Sequence, residues 1–301
     1  MEDLYSIKKK LENFKKIKQI TDAIRLVSIT TYSQVSKRLA FLKKYLEKME
    51  ECLPIQAKQL FNTLIRKKQE RSNAAKKNIL LIIIGSSKEF GSDFSNKLKK
   101  FISKKISAGL PTSDSDMSSR IISDKNIEAI VIAKNHEKVL QPSKNISIIK
   151  NYINFSFKDA ERLSHELCQD VMNRLGNTEE VIIFNNKFRN FFIQNQIQTT
   201  LIKDNRIAPF EEQLLEQDDL SSSYEKMSET ITILFKKYLR AQILYHITNS
   251  LTSENASRFM AMEKSSQNAE ELISELTLKA NKIRQMNITR QISELTTAFK
   301  Y

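Results

Sequence analysis

Every glycine and every proline of the 301-residue chain lies between Pro54 and Pro209, so residues 1–53 and 210–301 hold no helix breaker at all. In a helix interior glycine costs about 1 kcal/mol and proline about 3 relative to alanine, so so long an exclusion predicts two long helical arms around a compact middle. At about 1.5 Å per residue, the stretch from Tyr224 to Tyr301 alone would span on the order of 115 Å, several times the width of a small domain.

The first arm carries an apolar stripe at Leu4, Ile7, Leu11, Phe14, Ile17, Ile20, Ile24, Val27, Thr31, Val35, Leu39, Leu42, Leu46, Met49 and Leu53. Its step is about 3.5 residues, the period of a left-handed coiled coil. The second arm holds a seven-residue register in two columns. Ile231, Tyr238, Tyr245, Thr252, Phe259, Ser266, Ile273 and Ala280 form one, and Leu234, Ala241, Thr248, Asn255, Met262, Ala269, Leu276 and Ile283 the other. Small polar residues at such positions let helices approach closely, at a cost in stability. Isolated helices owe most of their stability to packing, so the arms are expected to pair antiparallel.

The middle changes period. Asn78–Ile84, Glu128–Ala133, Ile146–Ile149, Val181–Phe184 and Thr199–Lys203 are short β-branched runs that read as strands. Helical patterns at Phe94–Ile106 and Phe157–Leu175 alternate with them, the second ended by Gly176. Such alternation implies a small α/β (Rossmann-like) sheet with crossover helices. Pro111–Ser119 reads as a solvent loop. The expected division is a first helix over 1–70, an α/β insert over 77–208, a linker over 209–223 and a second helix over 224–301.

Composition narrows the function. The longest apolar run, Ile79–Ile84, is far short of the roughly 20 residues that span a bilayer, and the first residues lead into lysines, so neither secretion nor membrane spanning is expected. Cys52 and Cys168 are isolated and fit a reducing compartment. The formal charge of +14, with clusters such as Lys8-Lys9-Lys10, Lys43-Lys44 and Arg66-Lys67-Lys68, points to an acidic partner or simply to solvated helix faces.

No catalytic chemistry emerges. His136, His165 and His246 fall in three different elements and read as surface residues, with no metal or cofactor expected. The turn from Gly85 to Ser92 has glycines six apart with Glu89 between them, which matches neither a GxGxxG nor a P-loop pattern and reads as structural.

The end of the second arm is more specific than its heptads. Ser253-Glu254-Asn255-Ala256-Ser257-Arg258-Phe259-Met260-Ala261-Met262, Asn268-Ala269-Glu270-Glu271-Leu272-Ile273 and Asn281-Lys282-Ile283-Arg284-Gln285-Met286-Asn287-Ile288-Thr289 follow in order. Together they resemble the C-terminal signature of the gamma subunit of F-type ATP synthases. Tyr238-Leu239-Arg240-Ala241-Gln242, the N-terminal stretches Ile7–Leu11 and Ile17–Val27, and Phe184-Asn185-Asn186-Lys187-Phe188 fit the same family. Asp22 and Ile24 depart from its usual lysine and methionine, as does Lys88–Asp93 from its usual glycine- and cysteine-rich turn.

The resemblance implies a non-catalytic rotor shaft: an antiparallel coiled coil inside the alpha/beta hexamer, with the insert beside the epsilon subunit and the c-ring. Proton-driven rotation of that ring would be coupled to ATP synthesis in the hexamer. It also implies a peripheral place at the cytoplasmic face of the bacterial inner membrane, with membrane association only through the complex, no cofactor and no direct nucleic acid. Carried over by position, Arg284, Gln285 and Thr289 would contact the surrounding catalytic ring, as would Arg25 and Lys18 on the first helix. The rival is a basic coiled-coil hairpin that binds nucleic acid, since +14 on two arms could track a phosphate backbone.

Overall fold

The structure, a computed structural model, describes residues 4–52, 61, 62, 65, 78–86, 92–107, 126–134, 136–140, 146–153, 155–203, 206, 207 and 221–298. Its elements are α1 (Leu4–Cys52), β1 (Asn78–Ile84), α2 (Ser92–Ser107), β2 (Ile127–Ile132), α3 (Glu137–Leu140), β3 (Ile146–Tyr152), α4 (Ala160–Arg174), β4 (Thr178–Phe188), β5 (Gln194–Lys203), β6 (Arg206–Ile207) and α5 (Ser221–Ala298). A 3₁₀ turn at Phe157–Asp159 leads into α4. Long N- and C-terminal helices thus flank an inserted mixed α/β sheet, the class the residue pattern predicts. The expected loop at Pro111–Ser119, and the expected boundaries at 70, 77, 208 and 209, lie outside the described residues.

By compactness the chain forms two units, Met1–Thr31 with Arg258–Tyr301, and Tyr32–Ser257. In the second unit the sheet order is β3-β2-β1-β4-β5-β6. β2 and β4 both run parallel to β1, and β3 runs parallel to β2. β5 returns antiparallel on β4 through a hairpin whose turn is held by Asn190, its side-chain Oδ1 accepting the Phe192 and Ile193 amides at 3.0 and 2.7 Å.

Strand side chains alternate between two faces, so the aliphatic run of β1 feeds two cores. Leu80, Ile82 and Ile84 join Leu163, Leu167 and Val171 of α4, Val35, Leu42 and Leu46 of α1, and Phe235, Tyr238, Ile243 and Ile247 of α5. Ile79, Leu81 and Ile83 point the other way, to Leu98 and Ile102 of α2 and Leu140 of α3. Nearly every residue of α5 from Tyr238 to Ala256 is buried or half-buried, the mark of a helix covered on all sides. Tyr238 sits fully buried in it, donating its hydroxyl to Glu50 of α1 (2.9 Å) and accepting from Gln242 (2.7 Å).

In the first unit, residues 4–31 and 258–298 run antiparallel. Lys18 pairs with Glu270 (3.1 Å), the Ser266 hydroxyl donates to Asp22 (2.7 Å), and Arg25 pairs with Glu263 (2.6 Å), one partner number falling as the other rises. On the second helix the expected columns lie inward, with Ser266, Ala269 and Leu276 buried and Phe259, Met262, Ile273, Ala280 and Ile283 half-buried. On the first helix the expected stripe holds at Leu4, Ile7, Leu11, Phe14, Ile24 and Thr31 but is out of phase at three positions. Ile17, Ile20 and Val27 are exposed by 45, 59 and 64%, and the inward positions are Lys18, Thr21, Arg25 and Ser28. The inward set Ile7, Phe14, Thr21, Ser28 with Leu11, Lys18, Arg25 keeps a strict seven-residue repeat. A stripe drawn through the largest apolar residues slips off that repeat after Phe14.

Gly85, just after β1, is set by close approach. A Cβ there would come within 2.7 Å of the Ala133 Cβ and 2.7 Å of His136 Nε2, both buried. Gly85→Ala is therefore expected to lower stability by about 1–3 kcal/mol, as overpacking does. Urea unfolding measures the loss, and adding His136→Ala is expected to recover part of it.

Candidate functional site

A sheet of this order has a topological switch point between β1 and β4, because the chain leaves β1 toward β2 on one side and adds β4 on the other. In open α/β sheets ligands bind in the crevice outside the carboxyl ends of the strands at that point. Here α5 fills it. The Ser250 hydroxyl donates to the carbonyl of Ile84, the last residue of β1 (3.1 Å). At the end of β4, Asn185 Nδ2 donates to the His246 carbonyl (3.4 Å), the Ser253 hydroxyl donates to the Asn186 carbonyl (3.3 Å), and the Phe188 amide donates to Asn249 Oδ1 (2.8 Å).

All of these residues except the half-buried Phe188 are fully or almost fully buried, so much of the polar surface that would line a ligand crevice is bonded to the chain's own helix instead. Asn185 Oδ1, Asn186 Nδ2 and His246 Nδ1 have no hydrogen-bond partner among the described residues. Thr248, Thr252 and Asn255 satisfy themselves on the helix, bonding the carbonyls four residues back at 2.7–2.8 Å. Their place is thus the buried body of this unit. The sequence signal was the run of small polar residues from Thr248 to Ser253, too dense to share one helix face.

The histidines correct a sequence expectation. His165 is exposed, but His136 and His246 are buried. Burial pushes the pKa of each down to about 4, with the charge of Lys187 adding to the effect at His246 and that of Lys99 at His136. Nδ1–H of His136 donates to the Lys134 carbonyl (2.9 Å), which opposes the shift only in part. Both imidazoles are therefore neutral at physiological pH.

The first unit offers a different surface. Its seam mixes apolar residues, Ile7, Leu11 and Phe14 of α1 and Ala269, Ile273 and Leu276 of α5, with small polar ones, the Thr21 hydroxyl donating to the Lys18 carbonyl (2.9 Å) and the Ser28 hydroxyl to the Ile24 carbonyl (2.8 Å). Its outer faces carry Ile17, Ile20, Leu26 and Val27 of α1 and Leu278, Met286, Ile288, Ile292 and Leu295 of α5, each at least 45% exposed. An ordinary coiled coil hides its large residues in the seam, so large apolar side chains left outside it depart from that pattern.

The residues carried over from the resemblance divide between seam and surface. Lys18 and Arg25 are half-buried and tied across the seam to Glu270 and Glu263, with Asp22 a further partner for Arg25 at 3.6 Å. Arg284, Gln285 and Thr289 are exposed on α5, and the Thr289 hydroxyl donates to the Gln285 carbonyl (3.0 Å). They lie on one stretch of helix, as their spacing requires. The outward apolar residues beside them were not singled out by sequence.

Asn249→Ala is expected to cost about 1–3 kcal/mol, because the Phe188 amide loses a buried acceptor. Urea unfolding checks this. The histidines predict a pH dependence. With a folded pKa near 4 against an ordinary 6.5, the unfolded chain binds more protons between those values. Their contribution is present above pH 6.5 and is lost as pH falls toward 4, roughly 3 kcal/mol for each ring. A His246→Gln variant is expected to lose less stability than the parent over that interval.

Comparison with known proteins agrees with the motifs and the fold. A protein-family model described as ATP synthase matches residues 3–300. The ATP synthase gamma chain of Rickettsia canadensis is 26% identical over 299 residues, covering 98% of both chains, and that of Trichlorobacter lovleyi 27% over 298 residues, covering 98% of this chain and 97% of its own. Two solved chains of Euglena gracilis mitochondrial ATP synthase share the fold. One, from the rotor, has a TM-score of 0.56 at 16% identity, covering 95% of this chain and 98% of its own. The other, from the OSCP/F1/c-ring assembly, has a TM-score of 0.58 at 14% identity, covering 99% and 93%. A match over almost the whole length places the chain in the ATP synthase family, among its gamma chains.

Proposed function

We propose that the chain works as the central shaft of a rotary ATP synthase, turned by a proton-driven c-ring and acting on the three catalytic sites of an alpha/beta hexamer in sequence. The single observation that supports this best is the helix pair of the first unit, which leaves large apolar side chains such as Ile20, Val27 and Leu278 facing outward in addition to those in its seam. Such a pair buries its outer apolar area only when something encloses it. A catalytic ring does so, and an asymmetric pair turning inside it would bias each site differently.

In this reading Arg284, Gln285 and Thr289 touch the ring, while Lys18 and Arg25 brace the pair and offer the ring only the third of each side chain left exposed, 31 and 32%. Residues 1–70 and 224–301 act as the arms and 77–208 as the insert that meets the epsilon subunit and the c-ring. The protein then sits peripherally at the cytoplasmic face of a bacterial inner membrane, held there through the complex. Among the described residues no helix is long and apolar enough to cross a membrane. The filled crevice of the insert suits a part that leaves catalysis to other subunits. Nothing comparable favours nucleic acid, since Lys18 and Arg25 are already engaged with carboxylates.

Affinity purification at native expression tests this reading: alpha, beta, epsilon and c subunits are expected to co-purify, and their absence would overturn it. Arg284→Ala with Gln285→Ala is expected to lower ATP-driven proton pumping by the reconstituted complex, each truncated anchor costing about 1–2 kcal/mol of contact. Undiminished pumping would remove these two residues from the interface.

A further inference from the structure

Between α4 and α5 the second unit carries an open groove of about 560 Å³ that the shaft reading does not use. Cys168, Met172 and Ile233 give it an apolar floor, and Lys236, Lys237 and Arg240 line its α5 side. Ile233 is 54% exposed although it is a large aliphatic residue. The Cys168 thiol is turned inward onto the Lys236 carbonyl (3.5 Å), so it contributes surface to the groove rather than reactivity.

Among the described residues the charge of this groove has no carboxylate paired to it. α4 has three nearby carboxylates, but Glu161 pairs with Arg38, Glu166 with Arg162 (3.7 Å) and Asp170 with Lys150 (2.7 Å). Arg240 acts on Glu161 only at longer range. Among the described residues no carboxylate reaches ion-pair distance of Lys236, Lys237 or Arg240. Three cations within two turns of helix, above an apolar floor, call for a ligand with carboxylates along one edge and apolar side chains along the next.

We propose that this groove docks an acidic amphipathic helix from a partner protein, its apolar edge on Met172 and Ile233 and its carboxylates on Lys236, Lys237 and Arg240. A trough between two helices accepts the ridge of a third, which favours a helix over any flatter partner. A bilayer surface is flat and would meet the lysine tips without reaching the floor.

The test uses the full chain and a fluorescein-labelled peptide of leucine and glutamate, about four helical turns long and patterned as an amphipathic helix. Anisotropy is read in about 0.15 M salt, where attraction beyond roughly 8 Å is screened. Binding is expected, and it should fall at least about tenfold in the combined Lys236→Glu, Lys237→Glu, Arg240→Glu variant and also in Ile233→Asp. Reversing Lys97, Lys100 and Lys104 of α2 changes net charge equally and is expected to leave binding within about twofold.

Circular dichroism confirms that each variant is folded. The proposal is overturned by equal loss in both triple variants, by undiminished binding in the groove variants, or by displacement of the peptide with inorganic phosphate. It is also overturned if phosphatidylglycerol vesicles, or a second copy of the chain, bind through these residues while the peptide does not. None of these outcomes depends on assembly with a catalytic ring, so failure here leaves the shaft reading standing.

Discussion

The narrow seam between residues 4–31 and 258–298, part apolar and part small and polar, sets the character of that unit. Ser266, Ala269, Thr21 and Ser28 are small enough for the two helices to approach closely, and the inward hydroxyls are satisfied by nearby carbonyls or by Asp22. The seam buries Ile7, Ala269 and Leu276 beside these polar groups, so part of its width is given to small side chains that bring little apolar area. Ile17, Ile20, Leu26 and Val27 stay outside. Each would contribute about 1.5–3 kcal/mol if fully buried, so the pair keeps in reserve an attraction for whatever surrounds it.

The other unit uses small polar residues for the opposite purpose. Between His246 and Ser253 they bond carbonyls and an amide at the ends of β1 and β4, and so fix a helix where an α/β sheet would otherwise receive a ligand. The Phe184–Phe188 strand exit and the start of the C-terminal signature, both noticed for their likeness to a family, turn out to be bonding partners through Asn186 and Ser253. Their joint presence has a physical basis: the buried Ser253 hydroxyl finds its acceptor in the Asn186 carbonyl.

Much of this was legible in the sequence. The run Asn78–Ile84 marks β1 at both ends because a strand buried on both faces needs unbroken apolar residues. The seven-residue columns of the second helix show where it faces inward. The phase of the first helix was legible at Ile7, Phe14, Val35 and Leu42 but not between Ile17 and Val27, because apolarity and burial part company there: Thr21 is inside and Ile20 outside. Pattern reasoning assumes that a helix hides its large residues, and it fails for a helix whose apolar face awaits a partner. The buried histidines were missed for a related reason, since a lone imidazole in the sequence gives no sign of what covers it. The groove cations were visible only as part of a general positive charge, until the pairing of Glu161, Glu166 and Asp170 elsewhere set them apart.

The outward placement of the apolar face is open to one direct measurement: the stability of the free chain and its affinity for the catalytic hexamer, compared between the parent and an Ile20→Ser, Val27→Ser variant. If these side chains face a surrounding ring, the free chain unfolds at nearly the same urea concentration while affinity drops by about tenfold or more. If they are instead core residues of the pair, the free chain loses about 2–5 kcal/mol, as buried aliphatics do on truncation, and the placement described above is wrong.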